Sequence, residues 1–393
     1  MADLEVVKSE SKESFAQKVF RHRAGIVIRW VLAIAVVVGI VFWLKYQADT
    51  KVYTGYEILT KSLRSDADNS KYMVYNHHIL KYSQDGAEAF DGTDSTIWNV
   101  TYEMQDPKVA TCGDYVAMGD EGATEIIVMD PTGKQTSIRT KLPILSFCVA
   151  RQGVVAAVLQ DGSSSRINLY DREGNLLAGL KSTMGKSGYP IDLSLSPNGT
   201  ILAVSYVRMV KNEIRSSVAF YNFSDVGQNE IDHYVSGYDY DGTIIPRIRF
   251  LTDSAAVAIG DDRIVFYTGS QKPELKTEIP FNKEIQSVFY GDDGTVALVF
   301  RSERGGSYYR IHLYDTDGEV LQEQEFTLDY TDIQISNGLI IIYNDLLCQI
   351  FNRSGLSRFE GVFEDPVLLM APTDSVSKYI LINRNMTQRI QLD

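Results

Sequence analysis

The chain has 393 residues, of which 44% are apolar and 23% charged, enough to build a large packed core and too apolar for a disordered polymer. Its formal net charge is −13. That sign excludes nucleic acid as a partner, because phosphate backbones are held chiefly by clustered Lys and Arg. Twenty-three Tyr and sixteen Phe stand against ten Pro. Aromatic and β-branched side chains pack best on pleated, half-buried surfaces, so the bulk of the chain reads as β.

The first element is the exception. Trp30 to Leu44 (WVLAIAVVVGIVFWL) carries no charge, and extending the run back to Ala24 adds a single Arg29. A helix over 24–44 would span about 31 Å, matching a hydrocarbon core of about 30 Å. Arg29 lies near one end, where its guanidinium can snorkel to the headgroups. Trp30 and Trp43 mark the two interfaces. Lys18, Arg21, Arg23 and Arg29 precede or open the run, against Lys45 and Lys51 after it, so 1–23 is expected to stay cytoplasmic. Residues after Leu44 offer Tyr46 and Ala48 in place of a small-x-small cleavage site. The reading is an uncleaved signal anchor held in membrane lipid through 24–44, with the rest of the chain extracytoplasmic. Beyond residue 45 remain 31 basic and 47 acidic residues, a balance of −16.

A juxtamembrane segment, 45–71, leads into a repeat over 72–393. Eight alternating strands end in an acidic or amide turn: GAEAFDG (86–92), EIIVMDPTG (125–133), RINLYDREG (166–174), SVAFYNFSD (217–225), RIVFYTG (263–269), RIHLYDTDG (310–318), CQIFNRSG (348–355) and QRIQL (388–392). Another apolar strand precedes each. Pro107, Pro143, Pro190, Pro246 and Pro366 each stand just before the innermost candidate strand of a unit, where no ladder donor is needed. The stretch from Val52 to Asp393 divides into eight units of about 43 residues, the size of a four-stranded propeller blade. The expected fold is therefore an all-β propeller of eight blades, with seven as the alternative, preceded by one transmembrane helix. The final unit stops at its third strand, and YTGYEILTKSL (53–63) can supply the fourth and close the ring.

The segments ILKYSQDGAEAFDGTDSTIWNVTYEMQDP, SGYPIDLSLSPNG, AFYNFSDVGQNEIDHYVSGYDYD and HLYDTDG, with the anchor before them, carry a family resemblance. The chain resembles an uncharacterised family of Gram-positive, clostridial-type, single-pass membrane proteins with a quinoprotein-like or WD40-like propeller, a domain of unknown function. The resemblance implies architecture and location, and no activity.

Searches for chemistry return little. A quinone cofactor is not expected, since Trp98 is the one Trp beyond the anchor and no adjacent cysteine pair exists. Cys112, Cys148 and Cys348 are widely spaced in predicted strands and read as small buried hydrophobes. No G-x-S-x-G elbow occurs. His77, His78, His233 and His312 lack metal spacing, with His77 and His78 placed in a turn. GLKSTMGKSG misses the phosphate loop because Gly179 and Gly185 are six apart. Asp239 and Asp241 before Gly242, and Asp315 and Asp317 before Gly318, read as hairpin turns, with calcium the alternative. Sequons lie at Asn99, Asn198, Asn222, Asn352 and Asn385.

What remains is a binding surface. Connections entering the inner strands ring a propeller's channel, which nominates Asp106, Tyr189, Arg247, Arg249, Tyr330 and Asp332 as the channel mouth. The segments 206–216 and 300–310, basic on an acidic body, are expected to be long loops that contact a partner. The expected function is a non-enzymatic binding or scaffold module for a protein or cell-wall partner at the envelope, without cofactor or metal. Alternatives are a carboxylate-based hydrolase of envelope glycans and a sensor with an external ligand.

Overall fold

A strand with both faces covered has no polar side, and the second strands of this chain are continuous apolar runs: Ala255–Ile259 and Leu339–Tyr343 are buried at every position. Outer strands such as Glu274–Pro280 are largely exposed. This gradient from interior to rim follows from four-stranded sheets stacked face to face around an axis. The computed structural model of the chain describes residues 15–64, 69–92, 95–183, 185, 187–302 and 309–393, and for 15–28, 44–45 and 48–49 the backbone alone.

The chain divides into two units, 1–52 and 53–393. In the first, one helix runs over Phe15–Thr50. Every described side chain from 29 to 43 is exposed, including Val31 at 58% and Phe42 at 73%. Residues 1–14 of the expected cytoplasmic tail, and the side chains of 24–28 and 44 of the expected span, lie outside the described residues. Among the described residues no helix is long and apolar enough to cross a membrane.

The second unit is a propeller of eight four-stranded antiparallel sheets. Numbered along the chain, blades 1 to 7 occupy 71–101, 107–139, 144–183, 189–241, 247–280, 285–326 and 332–362. Blade 8 takes its three inner strands from 367–392 and its outer strand from Tyr56–Leu63, which pairs with Met386–Leu392 from Tyr56↔Leu392 to Leu63↔Met386. All eight turn-ending strands read from the sequence are third strands of their blades, and the five prolines stand at or beside the start of inner strands. Eight hydrophobic clusters fill the eight spaces between neighbouring blades. One of them joins Leu369 and Ile382 of blade 8 to Ile79 and Phe90 of blade 1, so the ring is closed.

The acidic turns share one mechanism. Asp130, Asp171, Asp315 and Asn352 each accept the backbone N–H groups two and four residues on, at 2.8–3.1 Å. Such an Asx turn reverses the chain between third and outer strands. Gly133 has φ of 83°, and a Cβ there would stand 2.9 Å from Trp98 of blade 1, so glycine lets this turn dock on the preceding blade.

Three sequence expectations need correction. The 206–216 segment is no loop: strands Ile201–Val210 and Glu213–Asn222 meet at a two-residue turn, Lys211–Asn212, with φ of 50° and 71°. Its two arginines are paired internally, Arg208 with Asp239 at 3.4 Å and Arg215 with Asp241, while Lys211 is exposed at the turn. Asp239 and Asp241 therefore belong to the outer strand Tyr234–Asp241 and not to a hairpin turn. Of 300–310, residues 303–308 lie outside the described residues. His78 opens the strand His78–Tyr82, leaving Asn76 and His77 as the turn.

Because Ile390 is fully buried where the closing strand meets blade 8, Ile390→Ala is expected to cost about 2–4 kcal/mol in chemical denaturation. Deleting 53–63 is expected to leave the Met386–Leu392 edge open and drive self-association on size exclusion. A monomer melting like wild type would contradict this closure.

A candidate binding site in the central channel

Inner strands have one edge without a strand partner, and in blades 4 and 5 side chains satisfy it. Asp192, on the blade 4 inner strand Tyr189–Leu195, accepts the Ile248 N–H through Oδ2 at 2.8 Å. Two residues along, the Ser194 hydroxyl oxygen accepts the Phe250 N–H at 2.9 Å. Both donors lie on the blade 5 inner strand Arg247–Phe250. On that strand Ile248 and Phe250 are buried while Arg247 and Arg249 alternate with them and are exposed. Period-two alternation turns both guanidinium groups to one face.

That face lines a cavity of about 660 Å³ formed by the inner strands of blades 1 to 6. Blades 4 and 5 contribute Asp192, Ser194, Arg247 and Arg249, and blade 6 adds Tyr290. The Arg249 guanidinium stands 4.3 Å from the centre of the Tyr290 ring, a cation–π contact that fixes its direction. Across the axis the wall is apolar, with Met73 and Val74 from blade 1 and Val109 and Ala110 from blade 2.

Burial sets the protonation of this site. It raises the Asp192 carboxyl above the ordinary aspartate value, against the Ile248 N–H and the nearby Arg247 and Arg249, which pull it down. Burial likewise raises Tyr290. Cys112 and Cys148 are half-buried and line the same cavity, so of the three cysteines expected to be small buried hydrophobes Cys348 is the one that is buried. Burial pushes the Cys148 thiol up to about 12 and raises Cys112 as well, Arg151 and Arg249 opposing the latter. At neutral pH both are thiols and poor nucleophiles. Asp192 is the one acid lining the cavity among the described residues, whereas glycoside hydrolysis uses two. No cluster of metal-ligating side chains occurs among the described residues.

The structure brings together two of the six nominated residues, Arg247 and Arg249. Asp106 lies outside the cavity lining, exposed between Lys108 at 2.5 Å and Lys71 at 3.4 Å, which hold its carboxyl below the usual range. Tyr189 is exposed at the start of its strand and also outside the lining. Tyr330 instead packs against Phe289, Tyr309 and Phe326, its hydroxyl 2.8 Å from that of Ser287. Asp332 accepts from the Tyr343 hydroxyl at 3.0 Å and from Gln334 at 2.6 Å. Sequence reasoning missed Asp192, Tyr290, Cys112 and Cys148; polar residues at alternate positions of an otherwise apolar inner strand, as in PIDLSL and RIRF, carried the signal.

With its native pKa above the unfolded value of about 3.9, Asp192 keeps its proton to higher pH in the native state than in the unfolded chain. Its contribution to stability is therefore fullest at low pH and falls as pH rises through the native pKa. Asp192→Asn keeps an acceptor for the Ile248 N–H without the charge. It is expected to melt at or above wild type at neutral pH and to lose this part of the pH dependence. Asp192→Ala orphans the N–H and is expected to cost about 1–3 kcal/mol. Thermal melts over a pH series check both, and an Asn variant weaker than the Ala variant contradicts the assignment.

None of the curated proteins matches the chain. Among solved structures, a eukaryotic initiation factor superposes with a TM-score of 0.52 at 12% identity, over 86% of this chain and 87% of that one. AztD from Citrobacter koseri gives 0.50 at 8% identity, over 76% and 87%. Hsv2p from Kluyveromyces lactis gives 0.48 at 12% identity, over 76% and 98%. At these identities the first two speak to fold alone. A family model, by contrast, matches residues 49–392. The chain belongs to the Family of unknown function (DUF5711).

Proposed function

We propose that this protein is a membrane-tethered, extracytoplasmic binding module whose channel holds a ligand for a partner or component of the cell envelope. The observation that carries the binding half is the cavity itself: about 660 Å³, within the usual range for ligand sites, with a few convergent polar groups on a rigid closed ring. The protonated thiols and the single lining carboxyl favour binding over hydrolysis. The tether rests on the helix Phe15–Thr50, where apolar side chains from Val31 to Trp43 are exposed on all sides. A helix apolar all round needs lipid or a large protein interior around it. The basic residues before the run favour an inward N-terminus.

Full-length protein expressed in a bacterium is expected to sediment with membranes and resist alkaline extraction, while a chain lacking 24–44 is released. Alkaline phosphatase fused after Asp393 is expected to be active, since that enzyme matures only outside the cytoplasm. Full-length protein in the soluble fraction would sink the tether, and an inactive fusion on membrane-bound protein would sink the extracytoplasmic placement.

A further inference from the structure

Two guanidinium groups on one face of one strand raise the positive potential of the cavity they line and favour an anion there. Among the described residues Arg247 and Arg249 make no salt bridge or hydrogen bond within the chain; the one carboxyl lining the cavity, Asp192, accepts the Ile248 N–H and feels both arginines only at longer range. Several other arginines of this acidic protein pair with acids, as Arg166 does with Asp161, Arg263 with Asp262 and Arg310 with Glu325. The channel pair is thus an unmatched cationic spot on a chain of net charge −13. Its surroundings have a direction: charged groups on blades 4 and 5, apolar Met73, Val74 and Val109 on blades 1 and 2 across the ring.

We infer that Arg247 and Arg249 bind the oxyanion head, carboxylate or phosphate, of a small organic anion whose apolar body lies against the inner strands of blades 1 and 2. Guanidinium forks match the oxygens of both head groups and form charge-assisted hydrogen bonds to them. Tyr290 holds the Arg249 fork in place, so less side-chain freedom is lost on binding. The inference rests on the channel being a ligand site and adds the ligand's chemistry.

Calorimetry on full-length protein in detergent tests it with four probes: phenyl phosphate, benzoate, inorganic phosphate and benzyl alcohol. At least one aromatic anion is expected to bind, which of the two identifying the head group, with inorganic phosphate and benzyl alcohol each weaker by roughly tenfold. Arg247→Gln and Arg249→Gln are each expected to weaken that anion by roughly tenfold or more at unchanged melting temperature, with Arg249→Lys in between. Should a glutamine variant fold poorly, added salt on wild type serves instead, since binding to the pair must weaken as ionic strength rises. Anions that bind no better than benzyl alcohol, or equally well to the glutamine variants, or not at all, overturn the inference. Benzyl alcohol binding alone would leave the channel a ligand site and remove only the anion.

Discussion

The structure depends on one pairing between distant parts of the chain: strand Tyr56–Leu63 laid antiparallel along Met386–Leu392. A ring of stacked sheets gains its stability from neighbour contacts, and an open ring would leave two blade faces and one strand edge in water. The pairing is locked next door. Tyr53 donates its N–H to the Arg358 carbonyl at 2.7 Å, forming a parallel bridge to blade 7. Arg358, only 2% exposed, lays its guanidinium 5.3 Å from the Tyr53 ring centre and donates to its hydroxyl at 3.2 Å. The first residues of the propeller thus bind its last two blades together.

Once closed, the ring divides labour by distance from the axis. Middle strands supply apolar side chains to both neighbouring spaces, and outer strands carry the surface charge. Inner strands are the only ones with a free edge toward the channel. Asp192 and Ser194 meet this by reaching from blade 4 to N–H groups of blade 5, and the Asp192 carboxyl stays within the field of Arg247 and Arg249. With its one lining acid bonded to backbone, the cavity keeps Arg247 and Arg249 without a salt bridge.

The cysteines illustrate how position on the ring changes a residue's meaning. Cys348 sits in the third strand of blade 7, packed between blades, its sulfur 3.6 Å from that of Met370. Cys112 and Cys148, on inner strands of blades 2 and 3, face the cavity as protonated thiols. Pro107 and Pro143, leading the strands of Cys112 and Cys148, and the turn that follows the strand of Cys348 are the local features that separate the two cases.

The sequence by itself determined the repeat, because the alternating third strand is a local signal repeated eight times, reinforced by Asx turns after some of these strands and prolines before five inner strands, and it determined the closing strand, because the last unit lacks one. It could not say which residues share the channel. The nominees were chosen by nearness to inner-strand starts, yet Tyr330 and Asp332 pack within blades 6 and 7 and Asp106 pairs with Lys71 and Lys108 of two inner strands outside the cavity lining. Only the tertiary structure decided that Arg247, Arg249, Asp192 and Tyr290 meet, since they come from three blades whose facing is set by ring geometry and not by spacing along the chain. The fate of the basic 206–216 segment was decided the same way: Arg208 and Arg215 are neutralised by Asp239 and Asp241, acids brought opposite by strand register.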